Sequence, residues 1–94
     1  MNAAQTISMI KHRFAGRDAA IEHAFASSDS FRGLCRDYLA CATVLARWQA
    51  ADSTDAPVRA EEYAALLSEL ASEIRMRLQA AERDRHQQPS SGGL

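Results

Sequence analysis

The side chains here with the most reactive chemistry are two cysteines and three histidines. Cys35 and Cys41 stand six positions apart, with His12 and His23 upstream and His86 close to the end. A thiol nucleophile needs an imidazole beside it, held in turn by a carboxylate. Cys35 or Cys41 would meet His23 only across a helix packing. A metal needs ligands converging at close spacing. On a helix the two cysteines would point about 120° apart, and the chain has neither a C-x-x-C pair nor two histidines one turn apart. A disulfide between them is not expected, because helical rise alone separates their Cα atoms by ~9 Å, beyond the ~7 Å that a bridge spans without moving the backbone. Both cysteines read as small, buried, reduced apolar side chains, as in a reducing cytosol. No glycine-rich phosphate loop and no haem-attachment motif is present. The chain is accordingly read as non-enzymatic, with no metal and no cofactor.

Charge offers a second kind of chemistry. The net charge is −1, but residues 1–47 hold six Lys or Arg against four acids, and residues 48–94 hold five against eight. Lys11, His12, Arg13 and Arg17 form the nearest approach to a basic cluster, and Arg32 and Arg36 follow one turn apart. Phosphate-binding surfaces normally show a stronger basic concentration than this. A weak nucleic-acid-binding accessory protein using Lys11, Arg13, Arg17, Arg32 and Arg36 is therefore the alternative reading. Charge clusters are more often solvated helix faces.

The elements that must position these residues are helices. Phe31, Leu34, Tyr38, Cys41, Leu45 and Trp48 recur at spacings of three and four, and so do Tyr63, Leu67, Leu70 and Ile74, flanked by Leu66 and Leu78. Such spacing returns to one face of a 3.6-residue turn. It predicts an antiparallel helical hairpin over about residues 30–51 and 57–85. Asp29 or Ser30 is the expected cap of the first arm. Asp52-Ser53-Thr54-Asp55-Ala56-Pro57 is the connection, with Thr54 or Asp55 capping the second arm and Pro57 in its opening turn. A connection this short turns the arms back on each other. Glu73 and Arg77 are expected to pair at i, i+4. The Tyr38 hydroxyl needs a partner, and a carboxylate of the second arm, Glu69 or Glu73, is the expected one.

Upstream, residues 5–27 form a helical segment bent or broken near Gly16, with Ile7, Ile10 and Phe14 on one face and Ile21 and Phe25 on another. Asp18 suits a cap or a first-turn acid of the second piece. One bent helix and two short ones remain equally open, since a glycine costs a helix only ~1 kcal/mol. Beside the main stripe, Cys35, Leu39, Ala42 and Ala46 make a line of small side chains that admits another helix at close range. Two amphipathic helices alone bury too little to offset their ordering. Docking of the N-terminal segment, self-pairing into a dimeric helical bundle, or both must supply the rest, and both are expected.

The run His12-Arg13-Phe14, then Ile21, Ser28-Asp29-Ser30-Phe31 and Leu34-Cys35-Arg36-Asp37-Tyr38, resembles a group of small bacterial helical proteins without an assigned activity. The stretch Glu62-Tyr63-Ala64-Ala65-Leu66-Leu67-Ser68-Glu69-Leu70, ending Glu73-Ile74, fits the same picture. More loosely the chain is similar to YdcH-like hairpin proteins. The likeness covers about residues 12–78, and it implies a helical fold in a bacterial cytosol, with no substrate.

Ninety-four residues make one small domain at most. Residues 1–85 are expected to form it, and 86–94 a disordered tail. No apolar run approaches the ~20 residues of a membrane span, and the N-terminus lacks the order of a secretory signal, so a cytoplasmic protein is expected. The functional reading is a protein–protein interaction module that forms a homodimer or binds a partner helix, with Arg32, Arg36, Leu39 and Trp48 as the interaction residues.

Overall fold

The computed structural model of the chain describes residues 2–87. Four helices follow one another: α1 (Ala3–Arg13), α2 (Asp18–Ser27), α3 (Asp29–Ala50) and α4 (Ala56–Gln87). There is no strand among the described residues. The all-α hairpin expected from the two stripes is formed by α3 and α4, and α1 and α2 pack on it.

Local chemistry explains each boundary. Asn2 accepts from the Gln5 backbone N–H at 2.8 Å, while the Gln5 side chain accepts from the Asn2 N–H at 3.0 Å. This reciprocal cap satisfies two of the free donors of a helix start and begins α1 at Ala3, earlier than residue 5. The N-terminal segment is two helices, not one bent one. Gly16 takes φ +85°, a left-handed conformation that a helix interior does not accommodate. Arg17 is the N-cap of α2 and gives it no side-chain hydrogen bond, so Asp18 serves as a first-turn acid. The cap of α3 is Ser28, one or two positions before Asp29 and Ser30, and its hydroxyl accepts from the Phe31 N–H at 3.0 Å. Ser30 accepts instead from the Arg77 guanidinium at 2.8 Å, and Asp29 pairs with Arg32. In the connection, the Asp55 carbonyl accepts from the Arg59 N–H at 3.0 Å, and Pro57 is the second residue of α4.

The core is lopsided. Its fully buried members are Ile10, Ile21, Phe31, Cys35, Ile74 and Leu78, joined by Phe14, Phe25, Tyr38 and Leu39. All of these lie where α1 and α2 meet the first half of α3 and the second half of α4. Phe14 packs on Tyr38 with ring centroids 5.4 Å apart, and Phe25 meets Phe31 edge to face at 6.4 Å. Such pairs add about 0.5–1.5 kcal/mol beyond the area they bury. Toward the connection one flank of the hairpin has no N-terminal helix beside it. Val44, Leu45, Trp48, Tyr63 and Leu67 are only half-buried there, and Leu66 and Val58 are 43% and 58% exposed.

Residues 86 and 87, expected to begin the tail, belong to α4, and the rest of that tail lies outside the described residues. No helix is long and apolar enough to cross a membrane among the described residues.

Candidate interaction surface

The cysteines take the inert position expected of them. Cys35 is fully buried and Cys41 nearly so, and both are free thiols. Burial pushes the Cys35 thiol up to about 12, with the nearby Arg36 charge opposing it, and burial also raises Cys41. A thiolate, the nucleophilic form, is disfavoured at both. The Cys41 Sγ lies 3.5 Å from the Tyr63 carbonyl oxygen, a weak S–H donation that ties α3 to α4. His12 and His23 are exposed on α1 and α2. No three His, Cys, Asp or Glu side chains converge on a metal-sized site among the described residues.

Four of the five basic residues of the nucleic-acid reading are engaged inside the chain. Lys11 pairs with Glu22 between α1 and α2, and the pairing holds the Glu22 carboxyl below its ordinary range. Arg17 grips Glu82 across α2 and α4. Arg32 pairs with Asp29 and donates to the Phe25 carbonyl. Arg13 lies over the Tyr38 ring, 5.6 Å from its centroid, with Nη1 3.4 Å from the hydroxyl. Tyr38 therefore answers to an arginine of α1 rather than to a carboxylate of α4. Glu73 makes its expected bond to Arg77 at 3.1 Å. Arg36 alone of the five makes no ion pair, side-chain hydrogen bond or ring contact among the described residues, and it is exposed.

The mainly apolar hollows of the hairpin lie on its two flanks. On the first flank, the line of small side chains is covered only in part. Cys35 and Leu39 are buried beneath the N-terminal helices, Ala42 is half-buried and Ala46 is exposed. Beyond Leu39 this line becomes a trough of about 490 Å³, walled on one side by Met9 of α1, itself 41% exposed, and rimmed by Arg13 and Arg47. The second flank is formed by α3 and α4 alone. Two adjoining hollows there share Val44 and Tyr63; one also contains Trp48 and Arg47, and the other Cys41, Leu66, Leu70 and Asp37.

Of the four residues singled out for interaction, Trp48 lines the second flank and Leu39 the first. Arg36 is free at the edge of α3, and Arg32 is occupied by Asp29 and Phe25. Val44, Leu66 and Met9 belong to these surfaces and carry no polar signature that would distinguish them from core residues in a sequence. Their spacing was the available signal: Cys41, Val44 and Trp48 follow one another at three and four residues, shifted around the helix from the centre of the main stripe.

Fold and surface together define a small all-α hairpin protein with a buttressed end and an open end. No protein-family model matches this sequence, and comparison with curated proteins and with solved structures found no match in either.

Proposed function

We propose that this chain is a non-enzymatic protein–protein interaction module, working in the cytoplasm, whose open end pairs with a second copy or takes a helix of a larger partner. The observation that carries the reading is the contiguous, partly exposed surface of Val44, Trp48, Tyr63, Leu66 and Leu70, whereas the other exposed large apolar side chains among the described residues, Met9, Val58 and Met76, line neither of its hollows. An aromatic pair beside aliphatic side chains, in a shallow hollow between two helices, is the chemistry of a helix-binding surface. Two reduced, buried thiols suit a reducing compartment.

The test is site-specific photo-crosslinking in the host cell. A photoreactive side chain placed at Leu66 should give defined protein adducts, to a second copy or to another protein. The same group at His23, exposed on α2, should give none. Adducts no more frequent from position 66 than from position 23 would overturn the reading.

A further inference from the structure

We infer that the open flank of the hairpin is the contact face of a homodimer, a four-helix bundle in which α3 of each copy lies antiparallel on α4 of the other. This rests on the interaction reading above and gives it a surface and a partner. The face is mostly apolar, with Val44 and Trp48 from α3, Tyr63, Leu66 and Leu70 from α4, the exposed Asp37 of α3 as the one acid lining its hollows, and no contribution from α1 or α2 to either hollow. Nothing from the N-terminal helices therefore stands in the way of a second hairpin.

The charges along the edges choose the occupant. Helical periodicity puts Arg36 and Arg47 on the outer edge of α3 and Glu62 and Glu69 on the outer edge of α4. All four are exposed. Glu62 takes Arg59 at 3.1 Å, whereas Arg36, Arg47 and Glu69 have no ion-pair partner among the described residues. The register of the hairpin is set by Cys41 against the Tyr63 carbonyl and by Ser30 against Arg77. Counting along both helices from these ties, Arg36 stands level with Glu69, and Arg47 within about a turn of Glu62.

Two hairpins can meet on this face by either of two two-fold axes. An axis along the hairpin lays α3 on the second copy's α4 at the same level, so Arg36 meets Glu69 and Arg47 approaches Glu62, twice each, with Asp37 brought to the same level beside Arg36. An axis across the hairpin lays α3 on α3 and α4 on α4, and then arginines face arginines and glutamates face glutamates. Like charges across an interface disfavour the second arrangement. Both axes leave every neighbouring pair of helices antiparallel, the standard arrangement of a four-helix bundle, so the charges make the choice between them. A closed two-fold contact also covers the apolar face on both copies at once and leaves none to recruit a third.

Light scattering or sedimentation on the purified full chain reads the outcome. The wild type should weigh about twice the 10.3 kDa of one chain. Leu66→Glu, at a position already partly exposed, should give a monomer with an unchanged helical circular dichroism signal. Arg36→Glu alone and Glu69→Arg alone should each weaken the dimer about tenfold, because each spoils two pairs, and the double charge swap should restore it. A wild type that stays monomeric at every concentration overturns the inference, as does a Leu66→Glu variant that remains dimeric. A double swap as weak as its parents overturns the pairing of α3 on α4. Should the monomer nevertheless crosslink to a different protein from position 66 in cells, the dimer is refuted while the interaction reading stands.

Discussion

Arg17 holds Glu82 in a two-pronged grip, 2.8 Å from Nη2 to Oε1 and 3.1 Å from Nε to Oε2. The two residues sit at the start of α2 and near the end of α4, and the pair pins the N-terminal helices to the far end of the hairpin. Its side chains are 24% and 36% exposed, so solvent takes back part of the attraction. A double-mutant cycle of Arg17→Ala and Glu82→Ala in denaturant unfolding should give a coupling of about 1 kcal/mol, the upper end for surface pairs because both prongs are made. Arg17→Lys, which cannot supply the fork, should recover less than half of it. A coupling indistinguishable from zero would remove the pair from the account of how α2 docks.

Gly16 should resist substitution for a conformational reason alone. Its φ is +85°, and no heavy atom lies within 4 Å of where a Cβ would stand. Gly16→Ala should therefore destabilise by about 1 kcal/mol, the cost of the left-handed region for an L-residue. Gly16→Asn should cost less, because asparagine visits that region more readily. Equal losses for the two variants would point to a steric origin that the open space around Gly16 does not suggest.

The buried thiol of Cys35 links stability to alkaline pH. Its folded pKa, pushed up by burial to about 12, lies above the ordinary 9.0 of the unfolded chain. The folded state thus holds the thiol proton more tightly, so the stabilisation is fully present below 9.0 and drains away as pH rises toward about 12. Unfolding free energy measured upward from neutral pH should begin to fall near 9.0, and Cys35→Ala should flatten that part of the fall. At neutral pH both cysteines should label slowly with a thiol reagent in the native protein and rapidly in denaturant. Fast labelling of native Cys35 would contradict its burial.

Ser28 is the cap on which α3 begins. Removing its hydroxyl by Ser28→Ala leaves the Phe31 N–H without its 3.0 Å acceptor and should cost about 1 kcal/mol, whereas Ser28→Asp should retain most of the stability. Urea unfolding of the two variants side by side checks this, and an unchanged midpoint for Ser28→Ala would mean that the cap is satisfied from elsewhere.

The parts of this fold that are legible in the sequence are those set by one helix at a time. The period of Phe31, Leu34, Tyr38 and Cys41 marks the buried face of α3, and the polar run from Asp52 to Pro57 marks the turn, because each depends on neighbours within a few residues. Ser28, Asp29 and Ser30 are all chemically competent caps. The choice among them falls to tertiary contacts: Ser30 goes to Arg77 and Asp29 to Arg32, leaving Ser28 for Phe31. The same limit applies to Tyr38. Nothing in the spacing of α3 says that Arg13, 25 positions away, will lie over its ring. The basic cluster shows it again, since Lys11 and Arg17 look unpartnered along the chain and meet Glu22 and Glu82 only once the helices fold together. The open flank is hardest to read in sequence, because Val44 and Leu66 have the composition of core residues and only the absence of a covering helix distinguishes them.

Trp48 is the single tryptophan, and it lies on the face assigned to association. Its emission therefore reports directly whether that face is covered. Fluorescence across a dilution series should show wild-type emission at shorter wavelength when concentrated than when dilute, with Leu66→Glu held at the longer wavelength throughout. Emission that ignores both dilution and the Leu66→Glu substitution would mean that Trp48 faces the same surroundings in every state, and the assigned contact face would be wrong.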